Sequence, residues 1–308
     1  MIEEALEALE RAGVGFSIRK GPSSDEELPE GGEIDLAVAS AQLPALDRAL
    51  TGAGFFHLRA PGHLDHHFYV SCRDGRWLKV DVKTPPGKLT GGLRRIASSL
   101  GMRRPVGLRR AGPVIAVVGP DGAGKGSIIE ALRTRIPLGV VVIYLGAPKK
   151  TPATLPAPPD APPASKDPPS PVRETVWILV RWLRTWRRLL VAYGKAWRGL
   201  VVLCDRYPVE VLATRPPRTR LGAPLERFVL GRLLPRPDAL VVLDAPGEVL
   251  FARKGEHSPE VLDRWRQGYR ETLVPRGAFV VPTDGPLKAS VDAVSEIVWG
   301  RLRARRRW

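Results

Sequence analysis

The feature that most constrains the fold is a glycine-rich loop, GPDGAGKGS, at residues 119–127. Five apolar residues, 114–118, come directly before it, and a helical pattern over residues 127–135 follows it. A short, wholly apolar run is typical of a strand buried on both faces of a parallel sheet. Strand, glycine loop and helix in this order form the context in which G-x-x-x-x-G-K binds phosphate. The sequence therefore predicts a phosphate site on an α/β fold.

Each residue type in this loop has a chemical reason. Glycines let backbone N–H groups converge on phosphate oxygens, and the start of the following helix adds its positive dipole end. Lys125 would reach the β- and γ-phosphates as a mobile point charge. A glycine turn that binds nothing is the alternative interpretation. The loop residues expected to bind a nucleotide are Gly119, Gly122, Ala123, Gly124, Lys125, Gly126 and Ser127.

The residue after Lys125 is Gly126, where serine or threonine is more common. Ser127, one position later, is therefore expected to supply the hydroxyl on the Mg²⁺ side. Another apolar run, residues 200–204, ends in Asp205 and Arg206. A carboxylate at the carboxyl end of a parallel strand, beside a phosphate loop, is placed to hold hydrated Mg²⁺. The neighbouring guanidinium can clamp a phosphate.

Charge and composition divide the chain. Residues 1–92 hold 10 basic and 14 acidic residues, whereas residues 93–308 hold 38 and 18, giving net charges of −4 and +20. We therefore expect a smaller α+β domain over 1–92, a basic linker over 93–112 and a larger domain over 113–308. Apolar runs that alternate with helical patterns predict a doubly wound parallel sheet in the larger domain. A segment rich in proline, 148–171, interrupts it and is expected to be a spacer.

The N-terminal domain carries three carboxylates on strand patterns. Glu33 and Asp35 share one face of a strand, and Asp81 lies on a later one. Three converging acids can hold two Mg²⁺ ions for nucleotidyl transfer, and the pattern resembles the minimal nucleotidyltransferase fold. Glu33 replaces the first aspartate of that pattern, so a degenerate, inactive domain is the alternative. Histidines 63, 66 and 67, with Asp65, are expected in a surface turn, with a role beside the acidic site second.

A family resemblance follows from three segments of the second half. GPDGAGKGS, VVLCDRYP and VVLDAPGEVLFARK, in this order, resemble the thymidylate-kinase-like group of nucleoside monophosphate kinases. The resemblance covers about residues 113–308, apart from the segment rich in proline. It implies a P-loop kinase that uses ATP and Mg²⁺.

The same resemblance implies roles for single residues. Arg253 and Lys254 match the lid over the transferring phosphoryl group, and Arg206 matches the arginine at the acceptor phosphate. Asp121 matches a loop carboxylate near the acceptor, and Asp284 lies in the turn expected beside adenine. Arg266 and Tyr269 would sit on the helix behind the lid. The catalytic set implied is Lys125, Arg206, Arg253 and Lys254.

The acceptor is less well defined. After the DRY element the chain reads PVEVLATRPPRTRLGAP, which contains no thymine-reading motif. We therefore expect phosphoryl transfer from ATP to a nucleoside monophosphate or another small anionic acceptor. Two alternatives stay open: a nucleotidyltransferase/kinase that processes nucleic-acid ends, and a regulator that binds ATP without catalysis.

Residues 173–198 form a helical pattern rich in tryptophan and arginine. A core helix with a solvated basic face is favoured, with a membrane-surface helix and a lining for the acceptor groove as alternatives. No apolar run reaches the ~18 residues of a membrane-spanning helix, and the first residues lack a signal-peptide pattern. Two cysteines far apart in sequence suit a reducing compartment, so a cytoplasmic protein is expected. Expected partners are ATP and the acceptor, with a homodimer and nucleic acid left open.

Overall fold

The computed structural model describes residues 1–20, 32–59, 66–85, 107–108, 111–146, 171–214, 222–255 and 257–304. Within these ranges the chain forms two β-sheets, one mixed and one parallel, with helices packed against both. This arrangement confirms the predicted α/β class.

The mixed sheet has six strands in the order β1-β2-β5-β4-β3-β6. The central pair, β2 and β5, is parallel, and the other pairs are antiparallel. The strands are β1 (Phe16–Lys20), β2 (Gly32–Val38), β3 (Phe56–Arg59), β4 (His66–Arg73), β5 (Arg76–Lys83) and β6 (Gly107–Leu108). Two helices, α1 (Ile2–Arg11) and α2 (Leu43–Gly52), cover one face of this sheet.

The hydrophobic pattern of the mixed sheet explains which face is covered. Alternate residues of β2, among them Ile34 and Leu36, are buried with Leu9 of α1 and Leu46 of α2. A strand with alternating apolar residues buries one face only. The other face of β5, including Asp81, is left for polar groups and for contacts with the rest of the chain.

The structure corrects two expectations in this half. Gly107 and Leu108, placed in the basic linker, pair with β3 and extend the sheet. His66 and His67, expected in a surface turn, begin β4 because their neighbours continue the ladder with β5. His63 and Asp65 lie outside the described residues.

The parallel sheet has five strands in the order β11-β10-β7-β9-β8. They are β7 (Val114–Val118), β8 (Val140–Tyr144), β9 (Val201–Asp205), β10 (Ala239–Asp244) and β11 (Phe279–Pro282). After β7 the chain forms β8 at one edge of the sheet and then β9 between β8 and β7. It continues with β10 on the other side of β7 and ends with β11 at the opposite edge. The order reverses at β7, and ligands of doubly wound sheets bind at the carboxyl ends of the strands at such a point.

Helices cover both faces of the parallel sheet, as a doubly wound fold requires. They are α3 (Lys125–Arg135), α4 (Pro171–Trp197), α5 (Val211–Thr214), α6 (Gly222–Gly231), α7 (Gly247–Lys254), α8 (Pro259–Leu273) and α9 (Leu287–Ala304). Helices α3 and α9 pack on one face, and α4 and α8 on the other. No helix in the described part is long and apolar enough to cross a bilayer.

Two further details differ from the sequence expectation. Strand β8 has the apolar pattern of a strand buried on both faces, but it is an edge strand, and its residues are partly buried or exposed. Pro171, counted with the spacer, is the first residue of α4, where its missing N–H costs nothing. The remainder of the segment 148–171 lies outside the described residues.

Helix α9 joins the cores of the two sheets. The Trp299 ring meets Phe56 and Trp77 of the mixed sheet edge-on, with ring centroids 5.1 and 5.8 Å apart. Val294 and Val298 of the same helix lie in one buried cluster with Ile115 of β7. The mixed sheet therefore packs, through α9, against the parallel sheet.

Candidate functional site

The loop after β7 needs glycine for reasons of conformation and space. Gly119 and Gly122 have positive φ angles of 148° and 88°. A Cβ on Gly122 would lie 2.6 Å from the carbonyl oxygen of Leu250, and one on Gly119 would lie 2.7 Å from that of Leu243. The loop is thus pressed against the carboxyl end of β10 and the start of α7, where no larger residue fits.

Lys125 is the first residue of α3, and its ammonium group lies within the loop of residues 119–127. The side chain is buried, and Nζ donates hydrogen bonds of 2.8 Å to the carbonyl oxygens of Gly119 and Pro120. Burial lowers the pKa of the lysine, since the charged form loses hydration. An ammonium held in this way lies beside the backbone amides that start the helix, which is where phosphate oxygens bind.

Three cationic side chains surround the carboxylate of Asp121. Its Oδ1 atom lies 2.7 Å from Nη2 of Arg206 and 3.8 Å from Nζ of both Lys125 and Lys254. Burial acts to raise the pKa of Asp121, but the three positive charges outweigh it and lower the pKa. The structure thus brings together four of the predicted site residues at one point.

Arg206 adopts an unusual backbone conformation, with a φ of 66° although it is not glycine. This left-handed backbone conformation costs free energy in a residue other than glycine, and backbone strain of this kind clusters at functional sites. Burial acts to lower the pKa of the guanidinium, but Glu210 and Asp121 raise it overall. Asp205, directly before it, ends β9 opposite Val117 of β7, so its carboxylate lies at the predicted edge of the sheet.

Glu210, which no sequence pattern predicted, contacts several residues of the site. Its Oε1 atom accepts a hydrogen bond of 3.0 Å from the Tyr269 hydroxyl and one of 3.4 Å from the Gly119 N–H. Its Oε2 atom lies 3.8 Å from Nη1 of Arg206. Burial raises the pKa of this carboxyl. The one signal in the sequence was its place as the first acid after the DRY element.

The two predicted lid residues point in different directions. Lys254 approaches Asp121, as described above, whereas Nη2 of Arg253 donates a hydrogen bond of 2.6 Å to the carbonyl oxygen of Thr283. Arg253 therefore contacts the residue before Asp284, which lies in an exposed turn. Ser127 is exposed in the first turn of α3.

Arg266, expected behind the lid, has a binding partner of its own. Its guanidinium forms two hydrogen bonds, 2.6 and 3.1 Å, with the buried carboxylate of Asp244 at the end of β10. Arg270 adds a third of 3.2 Å to the same carboxylate. These bonds tie α8 to the sheet beneath the loop and raise the pKa of Arg266.

The acids of the mixed sheet also converge. Glu33, Asp35 and Asp81 each offer an oxygen, and these oxygens lie within 4.8 Å of one another. Asp35 and Asp81 are direct partners across β2 and β5. Oxygen ligands in such a group suit a hard cation such as Mg²⁺.

Each of these acids has a basic neighbour. Glu33 lies 2.6 Å from Lys79, Asp35 lies 3.2 Å from Lys83, and Asp81 lies 2.8 Å from Nδ1 of His66. A cation at this point would replace part of these contacts. His66 thus lies beside the acidic group, which was the second of the two expectations for the histidines.

Two of the three comparisons with known proteins find no match: no protein-family model and no curated protein matches the chain. Among solved structures, the thymidylate kinase from Candida albicans is similar over 63% of this chain and 93% of its own, with 14% sequence identity and a TM-score of 0.41. A TM-score at this level does not establish a shared fold.

Proposed function

We propose that the chain transfers a phosphoryl group from ATP to a small anionic acceptor at the loop of residues 119–127. One observation carries this proposal: Lys125, Arg206 and Lys254 surround Asp121 at the carboxyl edge of the parallel sheet. Phosphoryl transfer depends on positioning and on cations around the transferring oxygens, and it needs no protein nucleophile. The three cations around Asp121 support the second of these requirements.

The position of each residue around the loop suggests its role in phosphoryl transfer. The loop amides and Lys125 would hold the β- and γ-phosphates, in place of the carbonyl contacts that the lysine makes now. Arg206 and Lys254 would neutralise charge on the transferring group. Ser127, in the first turn of α3, and Asp205, at the end of β9, would supply oxygen ligands of the type that Mg²⁺ prefers. When bound, Mg²⁺ supplies further neutralisation of phosphate charge.

The acceptor class is proposed more broadly. A nucleoside monophosphate agrees with the resemblance of the three sequence segments, yet the stretch after Tyr207 has no thymine-reading motif. The proposal therefore extends to other small molecules that carry a phosphate or another anionic group.

The experiment is ADP release from ATP and Mg²⁺, with a panel of nucleoside monophosphates, sugar phosphates and short oligonucleotides. We expect one class of acceptor to stimulate turnover, and Lys125→Ala to remove this stimulation. Lys288→Ala is the matched control, because this exposed lysine pairs with Asp292 on α9, away from the loop. Turnover that survives in Lys125→Ala would refute the assignment. ATP binding without turnover on any acceptor would support the non-catalytic alternative.

We also propose a metal-binding role for residues 1–92, as a nucleotidyltransferase-like domain. The convergence of Glu33, Asp35 and Asp81 favours this role. Titration with Mn²⁺, followed by calorimetry, should show a site that Asp35→Asn weakens strongly. If the variant binds Mn²⁺ as tightly as the unaltered chain, the three acids do not form the metal site, and their role is confined to the ion pairs described above.

A further inference from the structure

The outward face of α4 combines exposed apolar and basic side chains. Its inner stripe, including Ile178, Leu189 and Ala192, is buried. On the opposite side lies a row of apolar residues with exposed fractions between 46% and 78%. This row, called the outer apolar row, consists of Val172, Val176, Leu179, Leu183, Leu190 and Trp197.

The spacing of the outer apolar row keeps it on one side of the helix. Successive members are four, three, four, seven and seven residues apart. At 1.5 Å per residue, the row is about 38 Å long. Soluble proteins rarely expose apolar surface that is this continuous unless it serves an interaction.

Charged residues on this face have one sign. Arg184, Arg187 and Arg198 are exposed beside the row. Glu174 is the one acidic residue between 171 and 198, and it is buried on the other side of the helix. The face therefore presents apolar groups flanked by positive charge, with no acid among them.

We propose that α4 docks on an anionic lipid surface, with the outer apolar row inserted at the headgroup boundary. Interfacial helices have this composition: leucine, valine and tryptophan on one side and arginine beside them. The arginines meet the negative charge of the leaflet, and the exposed Trp197 suits the membrane–water interface. The inner stripe keeps the helix attached to the sheet, so the whole protein would be held at the membrane.

Other partners fit less well. A second copy of the chain offers the same face, with no acidic group for the arginines to pair with. Nucleic acid would leave the outer apolar row against phosphates, where burial gives no gain. A lipid leaflet satisfies both the apolar and the basic parts of the face.

The test is co-sedimentation of the full chain with phosphatidylcholine vesicles, with and without phosphatidylglycerol. We expect sedimentation only with the anionic lipid and its loss in the double variant Leu183→Glu/Leu190→Glu. Removing charge with Arg184→Gln or Arg187→Gln should weaken partitioning about fivefold each. Because all four side chains are exposed, circular dichroism and thermal unfolding should be unchanged.

Leu287→Glu is the matched control, since this half-exposed leucine begins α9. It should sediment like the unaltered chain. Absence of sedimentation with the anionic vesicles, or equal loss in the control, would overturn the proposal. A dimer that the Leu183→Glu/Leu190→Glu variant dissociates, without vesicle binding, would also overturn it and make α4 an interface between copies.

Discussion

Nη2 of Arg206 lies 2.7 Å from Oδ1 of Asp121, which ties the residue after β9 to the loop after β7. These two strands are neighbours in the sheet, although 85 residues separate the two side chains in sequence. The bond holds the end of β9 close to the loop. It also holds the guanidinium at the mouth of the loop, where the transferring group would lie.

Arg206→Ala should lower acceptor-dependent turnover strongly. Removing one preorganised donor to developing charge typically costs on the order of 100- to 1000-fold in rate. ADP release at saturating ATP measures the effect. Arg133→Ala is the control, because this exposed arginine pairs with its helix neighbour Glu130 on α3. A similar loss in both variants would contradict a specific role for Arg206.

Asp244→Ala should destabilise the protein by about 2 kcal/mol. The buried carboxylate accepts three hydrogen bonds from Arg266 and Arg270, and hydrogen bonds to charged groups contribute about 1.5–3 kcal/mol. Both guanidinium groups are partly exposed, so water can replace the lost acceptor. Urea unfolding measures the change in free energy. Glu130→Ala breaks an ion pair that is exposed to solvent and should change the free energy of unfolding much less. Equal changes in the two variants would argue against an anchoring role for Asp244.

Gly122→Ala should lower stability by roughly 2 kcal/mol or more. The positive φ alone costs of the order of 1–3 kcal/mol for a residue other than glycine, and the new Cβ would meet the Leu250 carbonyl. Gly126→Ala is the matched comparison within the loop and helix, because a Cβ there has no heavy atom within 4 Å. It should be neutral or slightly stabilising, as alanine favours helix more than glycine does. If the two variants unfold alike, the loop is not packed as described.

Glu210 gives the protein a pH dependence that Glu210→Gln should remove. Burial raises the pKa of this carboxyl above its unfolded value, so the folded protein binds the proton more tightly. The stability contribution of the protonated form is therefore present below the ordinary carboxyl pKa of about 4.3 and is lost as pH rises through the folded pKa. Free energies of unfolding, measured from acid to neutral pH, should fall more with rising pH in the unaltered chain than in the variant. Parallel curves would contradict the assignment.

Local patterns predicted the elements that form this fold. The apolar run 114–118 and the glycines after it specify β7 and its loop, because each depends on neighbours in sequence. The apolar pattern of β8 did not predict its exposure, because its position at the edge depends on the order of strands in the whole sheet. Glu210 was missed because its partners, Gly119 and Tyr269, are distant in sequence.

The orientation of α4 shows a further limit of pattern reasoning. The sequence predicted an aromatic side in the core and a basic side in water. In the structure the buried stripe lies between these two sides, at Thr185, Leu189 and Ala192. Trp182 and Trp186 are partly buried at its edge, and Trp197 is exposed. Periodicity fixes the angles between residues, whereas the neighbouring helices and strands decide which angle faces inward.

The affinity of the full chain for ATP in the presence of Mg²⁺, measured by titration calorimetry, tests phosphate binding at the loop. We expect one ATP bound per chain and a loss on the order of 100-fold in Lys125→Ala, since a charged hydrogen bond contributes about 1.5–3 kcal/mol. Lys288→Ala should bind ATP as the unaltered chain does. ATP affinity that is the same in Lys125→Ala and in the unaltered chain would contradict phosphate binding at residues 119–127.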